Sequence, residues 1–200
     1  MKRGIDCISI LFFVFVLASC NKSSLDKNEY TNYVEDTGNG LKKELKINGW
    51  EYLIQYKPIN YLLCKENQSM SSARAKNLQG TLWFTIQFRY TKANVPALKI
   101  DVQSLDEYNQ RLNYYLNQAQ ADIEIEYGGA VLYPISYLFE TNYGLTPHET
   151  MVVGFALPNE TRDIEHDLVF KFHDKIFKNG IIKTSIGLSD IKKIPQLNFK

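Results

Sequence analysis

The chain has 200 residues, with 23 Lys and Arg against 22 Asp and Glu, and 44% of it is hydrophobic, including 13 Tyr and 11 Phe. A net charge of +1 supplies no field to gather nucleic acid, so a nucleic-acid binder with its basic patch is excluded. The length fits one domain around one core, and the aromatic content is enough to fill it.

Lys2 and Arg3 precede an apolar run, Ile8 to Ala18, too short to cross a bilayer as a helix but suited to the central region of a secretory signal. The run ends in Leu17-Ala18-Ser19-Cys20, which resembles, residue by residue, the lipobox of bacterial lipoproteins. The resemblance implies that residues 1–19 are a signal peptide, that Cys20 becomes the first residue of the mature chain, and that its thiol and amino group are acylated. Two or three acyl chains, at about 0.8 kcal/mol per buried methylene, hold a protein on a membrane where one chain does so marginally. Asn21 stands where enteric lipoproteins retained at the inner membrane carry Asp, so the same resemblance implies an outer-membrane address, with the face open. Loss of Lys2, Arg3 and Asp6, a net of +1, brings the mature chain to zero. Cys7 leaves with the signal and Cys20 takes the lipid, so Cys64 stands alone and no internal disulfide is expected. A catalytic thiol would need a converging His. Cys64 follows Tyr61-Leu62-Leu63 on an apolar helical face and reads as a small buried hydrophobe.

Residues 20–40 are polar and poor in branched aliphatics, which predicts a flexible tether with an end-to-end spread of about 25 Å. Asp36 to Gly40 has the polar look of a calcium loop, but Gly38 occupies a ligand position and a turn is the better reading. The globular domain is then expected over 41–200. Leu45-Lys46-Ile47 and Trp50 to Tyr56 form a hairpin about Asn48-Gly49, the dipeptide that tolerates two positive φ angles. Pro58 opens a short helix to about Glu66, and Ser72 to Asn77 is a partly helical piece of the following loop. In Thr81 to Tyr90 the residues Leu82, Phe84, Ile86, Phe88 and Tyr90 share one face, the mark of a central strand with one buried side. Ala97 to Val102 adds an edge strand, and Ser104 with Glu107 forms a capping box for a helix to about Leu112. Leu112 to Ala121 reads as strand.

Ile123 to Tyr127 and Ala130 to Tyr133 make a second hairpin about Gly128-Gly129, with Glu124 and Glu126 facing water rather than forming an acid/base pair. The segment Tyr137 to Glu149 reads as a loop between strands, carrying Glu140, Tyr143, Gly144, His148 and Glu149. Strands follow at Met151 to Leu157, stopped by Pro158-Asn159, then at Leu168 to Phe172 and Gly180 to Ile186. A turn at Ser189 to Pro195 and a last strand at Gln196 to Phe199 close the chain. His166, Asp167, His173 and Asp174 are of types that zinc or iron would take, but there is no HExxH or CxxC spacing, and no metal site or cofactor is expected.

Many short strands, turn signals about every ten residues and no strand-helix alternation predict a mainly β domain, an antiparallel β-sandwich with one or two short helices. The stretches NGWEYLIQYKP, ETNYGLTP, MVVGFALP and DKIFKNGIIKTSI make the mature chain similar to small Bacteroidota-type lipoproteins without an assigned activity, so the resemblance carries over no catalytic residue. The function expected is that of a membrane-anchored envelope lipoprotein acting as a non-enzymatic binding or assembly module. Its partner would be another envelope protein or a surface ligand. The alternative is an envelope hydrolase or metal-dependent enzyme using His148, Glu149, His166, Asp167, His173 or Asp174.

Overall fold

The computed structural model describes residues 24–158 and 163–198, so the expected signal peptide over 1–19, Cys20, Asn159 and Phe199 lie outside the described residues. In chain order the elements are β1 (Ser24–Leu25), α1 (Lys27–Glu35), β2 (Lys42–Ile47), β3 (Trp50–Lys57), α2 (Ile59–Lys65), α3 (Ala73–Leu78), β4 (Thr81–Tyr90), α4 (Leu105–Asn117), β5 (Ile123–Tyr127), β6 (Ala130–Leu132), β7 (Pro134–Glu140), β8 (Glu149–Ala156), β9 (Leu168–Asp174), β10 (Gly180–Ile186), α5 (Leu188–Lys192) and β11 (Gln196–Leu197). Two antiparallel sheets, β2-β3-β4-β8-β7 and β10-β9-β5-β6, face each other as a β-sandwich, and β1 pairs with β11 in parallel.

Alternation fills the space between the sheets. Tyr52, Ile54, Phe84, Ile86, Phe88, Met151, Val153 and Phe155 point inward from the large sheet, against Ile123, Ile125, Phe170 and Phe172 from the small one, all essentially without solvent contact. The Phe84 ring stacks on Phe170 at 5.4 Å and meets Phe155 edge-on at 6.1 Å, so β4 supplies the centre of the core as its alternation predicts. Both hairpin turns have paired positive φ angles, 52° and 84° at Asn48-Gly49 and 55° and 85° at Gly128-Gly129. On the outer face of the large sheet, Trp83 packs against a small cluster of Leu63, Ala75 and Leu78 from α2 and α3. Cys64 is buried on α2, with its Sγ 3.6 Å from the Lys27 carbonyl oxygen.

Five expectations need correction. The predicted tether is folded from Ser24 onward: Asp26 and Glu29 form a reciprocal capping box at 2.9 and 3.2 Å, and the helix it starts buries Tyr30 and Val34 completely. Gln55 on β3 then donates to the Val34 carbonyl at 3.1 Å, so α1 belongs to the domain and the boundary at residue 41 is wrong. Leu112 to Ala121 is the second half of α4 and a 3₁₀ turn, Ala119–Asp122, rather than strand. Tyr108, Leu112, Tyr115 and Ala119 recur at helical spacing and turn one face to the core, where Tyr115 stacks on Phe88 at 5.0 Å and Phe139 at 5.3 Å. Ala97 to Val102 holds a 3₁₀ turn, Ala97–Lys99, in place of a strand. The helices among the described residues therefore number five, not one or two, and the predicted turn at Ser189 to Pro195 contains one of them, α5.

Candidate functional site

The six candidate residues do not come together. Glu140 belongs to β7, so the loop between β7 and β8 runs over 141–148, with His148 facing an outer groove beside Glu51, Leu53 and Arg89. His166 is exposed and packs edge-on against Tyr127 at 5.2 Å, close above Gly128. Asp167 accepts the Leu188 N–H at 2.7 Å, at the start of α5. His173 stands exposed on the outside of β9, opposite Ile181. Asp174 is fully buried between the sheets, accepting the Tyr52 hydroxyl at 2.5 Å, the Asn179 amide at 3.0 Å and the Phe177 N–H at 3.0 Å. These three donors give Asp174 a structural role, joining β3 to the turn after β9. Among the described residues no group of three His, Cys, Asp or Glu side chains could hold a metal ion.

Glu149 is different. It sits opposite Phe88 in the register, so its side chain follows the inward face of β8 and ends in the rim of the core, 3% exposed. A cavity of about 100 Å³ opens over it, walled by Phe139, by Tyr108 and Leu112 of α4, and by Leu98 and Lys99 of the 3₁₀ turn. Burial drives its acidity: loss of hydration pushes the carboxyl from its usual 4.5 up to about 7, against the opposing pull of the Leu98 N–H, the Asn142 amide and the Lys99 charge. Near neutral pH this carboxyl exchanges its proton readily, and it can act as donor or acceptor toward a bound group.

The loop that roofs the cavity is held chiefly by the Asn142 side chain, with the Thr146 hydroxyl adding a bond to the His148 carbonyl at 3.1 Å. Asn142 accepts the Gly144 N–H at 2.7 Å and donates to the carbonyls of His148 at 2.6 Å and Thr146 at 3.2 Å. Gly144 has a φ of +78° and lies against the Lys99 ammonium, where a Cβ would come within 3.4 Å of Nζ. The tip exposes Tyr143 and Leu145 almost fully, at 88% and 86%.

Of the loop residues named from sequence, the structure brings Tyr143, Gly144 and Glu149 together at this cavity and sends Glu140 and His148 elsewhere. Leu98, Lys99, Tyr108 and Asn142 were missed. Asn142 had a readable signal, an Asn two residues before a Gly, which is the pattern of a side chain closing its own turn. Fold and cavity together define a β-sandwich with a carboxyl-bearing pocket at one end. Compared with known proteins, the chain matches no family model, no curated protein and no solved structure.

Proposed function

We propose that this is a lipid-anchored envelope protein, held at the outer membrane through acyl chains on Cys20, whose domain is a non-enzymatic binding module with the Glu149 cavity as its site. The observation that carries the binding reading is a buried carboxyl of raised pKa that, unlike Asp174, lines a cavity rather than being closed in by protein donors. Glu149 is the one carboxylate lining the cavity among the described residues, whereas two-carboxylate hydrolysis needs a partner. The volume suits the end of a ligand, a small group that offers a hydrogen bond, rather than a whole substrate, because sites for drug-sized molecules span roughly 300–1,000 Å³.

Nitrogen-15 NMR of the signal-free chain against a set of small alcohols and amines tests the site. Binders should shift the Leu98 and Gly144 amides, and Glu149→Leu, which removes the polar group from the cavity, should abolish those shifts. Binders that leave both amides unmoved, or that bind the variant equally well, would place recognition elsewhere. The anchor is tested separately: Cys20→Ser should eliminate metabolic labelling by a palmitate analogue, and labelling that persists refutes it.

A further inference from the structure

The chain is already fixed at Ser24. Ser24 pairs with Gln196 and Leu25 with Leu197, the Asn198 N–H donates to the Leu25 carbonyl at 2.8 Å, and α1 follows at once. Four steps of chain separate Cys20 from Ser24, and at full extension they span about 14 Å. A domain of this size has a radius of gyration of about 15 Å, so the reach from a lipidated Cys20 is shorter than the domain is wide. A tether of 20 residues would let the domain turn freely. One of four does not.

The end of the sandwich beside β1 and β11 has a surface fit for that position. A shallow groove of about 530 Å³ with a mixed lining runs between the start of α2 and the C-terminal segment, with Ile59, Met70, Ile191 and Ile194 beside the polar Asn60 and Gln196. Met70 is 42% exposed, and the exposed Lys192 and Lys193 follow Ile191 and precede Ile194 in the chain, with Lys193 Nζ 3.5 Å from Asp190. A mixed apolar and polar surface, with lysines next in the chain whose stems can lie along an apolar boundary while the ammonium stays wet, suits the headgroup region of a bilayer rather than its interior.

We infer that the domain rests on the lipid surface through this groove face, with the β1–β11 end down and the Glu149 cavity at the far end. The inference rests on the Cys20 anchor proposed above. The groove lies by Tyr56 and Pro58, where β3 ends, and antiparallel pairing puts Thr81 of β4 and Ala156 of β8 at that same end. Tyr56 is level with Val153 through Phe84, so Glu149, at the start of β8, lies four to six residues from the groove, about 13–20 Å away along the strand.

The test uses the mature lipidated protein in vesicles of phosphatidylcholine and phosphatidylglycerol that contain a headgroup-labelled quencher lipid. In a Cys64→Ala background, a bimane dye is placed at Gln196→Cys or at Tyr143→Cys. Quenching at 196 should exceed that at 143 several-fold, and a 20-residue Gly/Ser insertion after Lys22 should bring the two together. Equal quenching without the insertion, or more at 143, overturns the docked orientation while leaving the anchor intact. Failure to incorporate the palmitate label overturns the anchor and this inference with it. Hydrogen exchange on the unlabelled wild type guards against a misfolded background: amides of residues 191–198 should gain protection on vesicles and those of 141–148 should not, and the reverse pattern also refutes the orientation.

Discussion

Glu149→Gln keeps the shape of the side chain and an acceptor for the Leu98 N–H, but removes the proton that titrates. In the wild type, the rise from 4.5 to about 7 in the folded state amounts to about 3 kcal/mol of native stability. Below pH 4.5 both folded and unfolded chains hold the proton, and the native state keeps its full advantage. As pH rises the unfolded chain releases the proton first, so wild-type stability falls through this interval and the loss is complete above pH 7. The variant has no such loss. Urea unfolding of the signal-free chain, run in steps from pH 4.5 to 8, should therefore show the variant gaining on the wild type by up to about 3 kcal/mol, with other titrating groups cancelling in the difference. Two curves that stay parallel across the interval would mean that Glu149 is solvated and ionised like any surface carboxylate, and the cavity would lose its claim to be a site.

Phe84→Ala should cost about 3–5 kcal/mol, because it leaves a void between Phe155 and Phe170, while Gln87→Ala, on the opposite face of β4, should cost under about 1 kcal/mol. Denaturant melts that rank these two the other way would invert the register of the large sheet. Asp26→Ala should cost about 1 kcal/mol through loss of the α1 cap, measured in the same way, whereas a flexible tether would lose nothing.

How far the sequence could be read depended on whether a signal was local. Period-two alternation in Thr81 to Tyr90 and the Asn-Gly and Gly-Gly dipeptides are complete statements within a few residues, and the strands and hairpins they imply are present. Composition misled at residues 24–40. A polar segment with two large apolar residues, Tyr30 and Val34, still buries both when they recur at i and i+4, and Asp26 with Glu29 announced the helix. Tyr114 and Tyr115 drew α4 toward a strand reading by propensity, but the 108-112-115-119 spacing and the tertiary fit of Tyr115 prevailed. The cavity could not be read at all as a unit, because Leu98, Tyr108 and Glu149 meet through contacts between β8, α4 and a 3₁₀ turn.

The pairing of β1 with β11 also dictates an order of events. Ser24 and Gln196 are 172 residues apart, and closing a loop of that length costs about 4–5 kcal/mol of chain entropy before any contact offsets it. The N-terminal arm must wait for nearly the whole chain before its partner strand exists, so a chain synthesised amino end first completes this join last. A tag fused to the C terminus would begin after the two residues that follow Asn198, whose N–H is bound to the Leu25 carbonyl. Shortening the chain to residue 195 would remove β11 and, with it, the strand that β1 pairs with, so a cut at one terminus would loosen the described residues nearest the other.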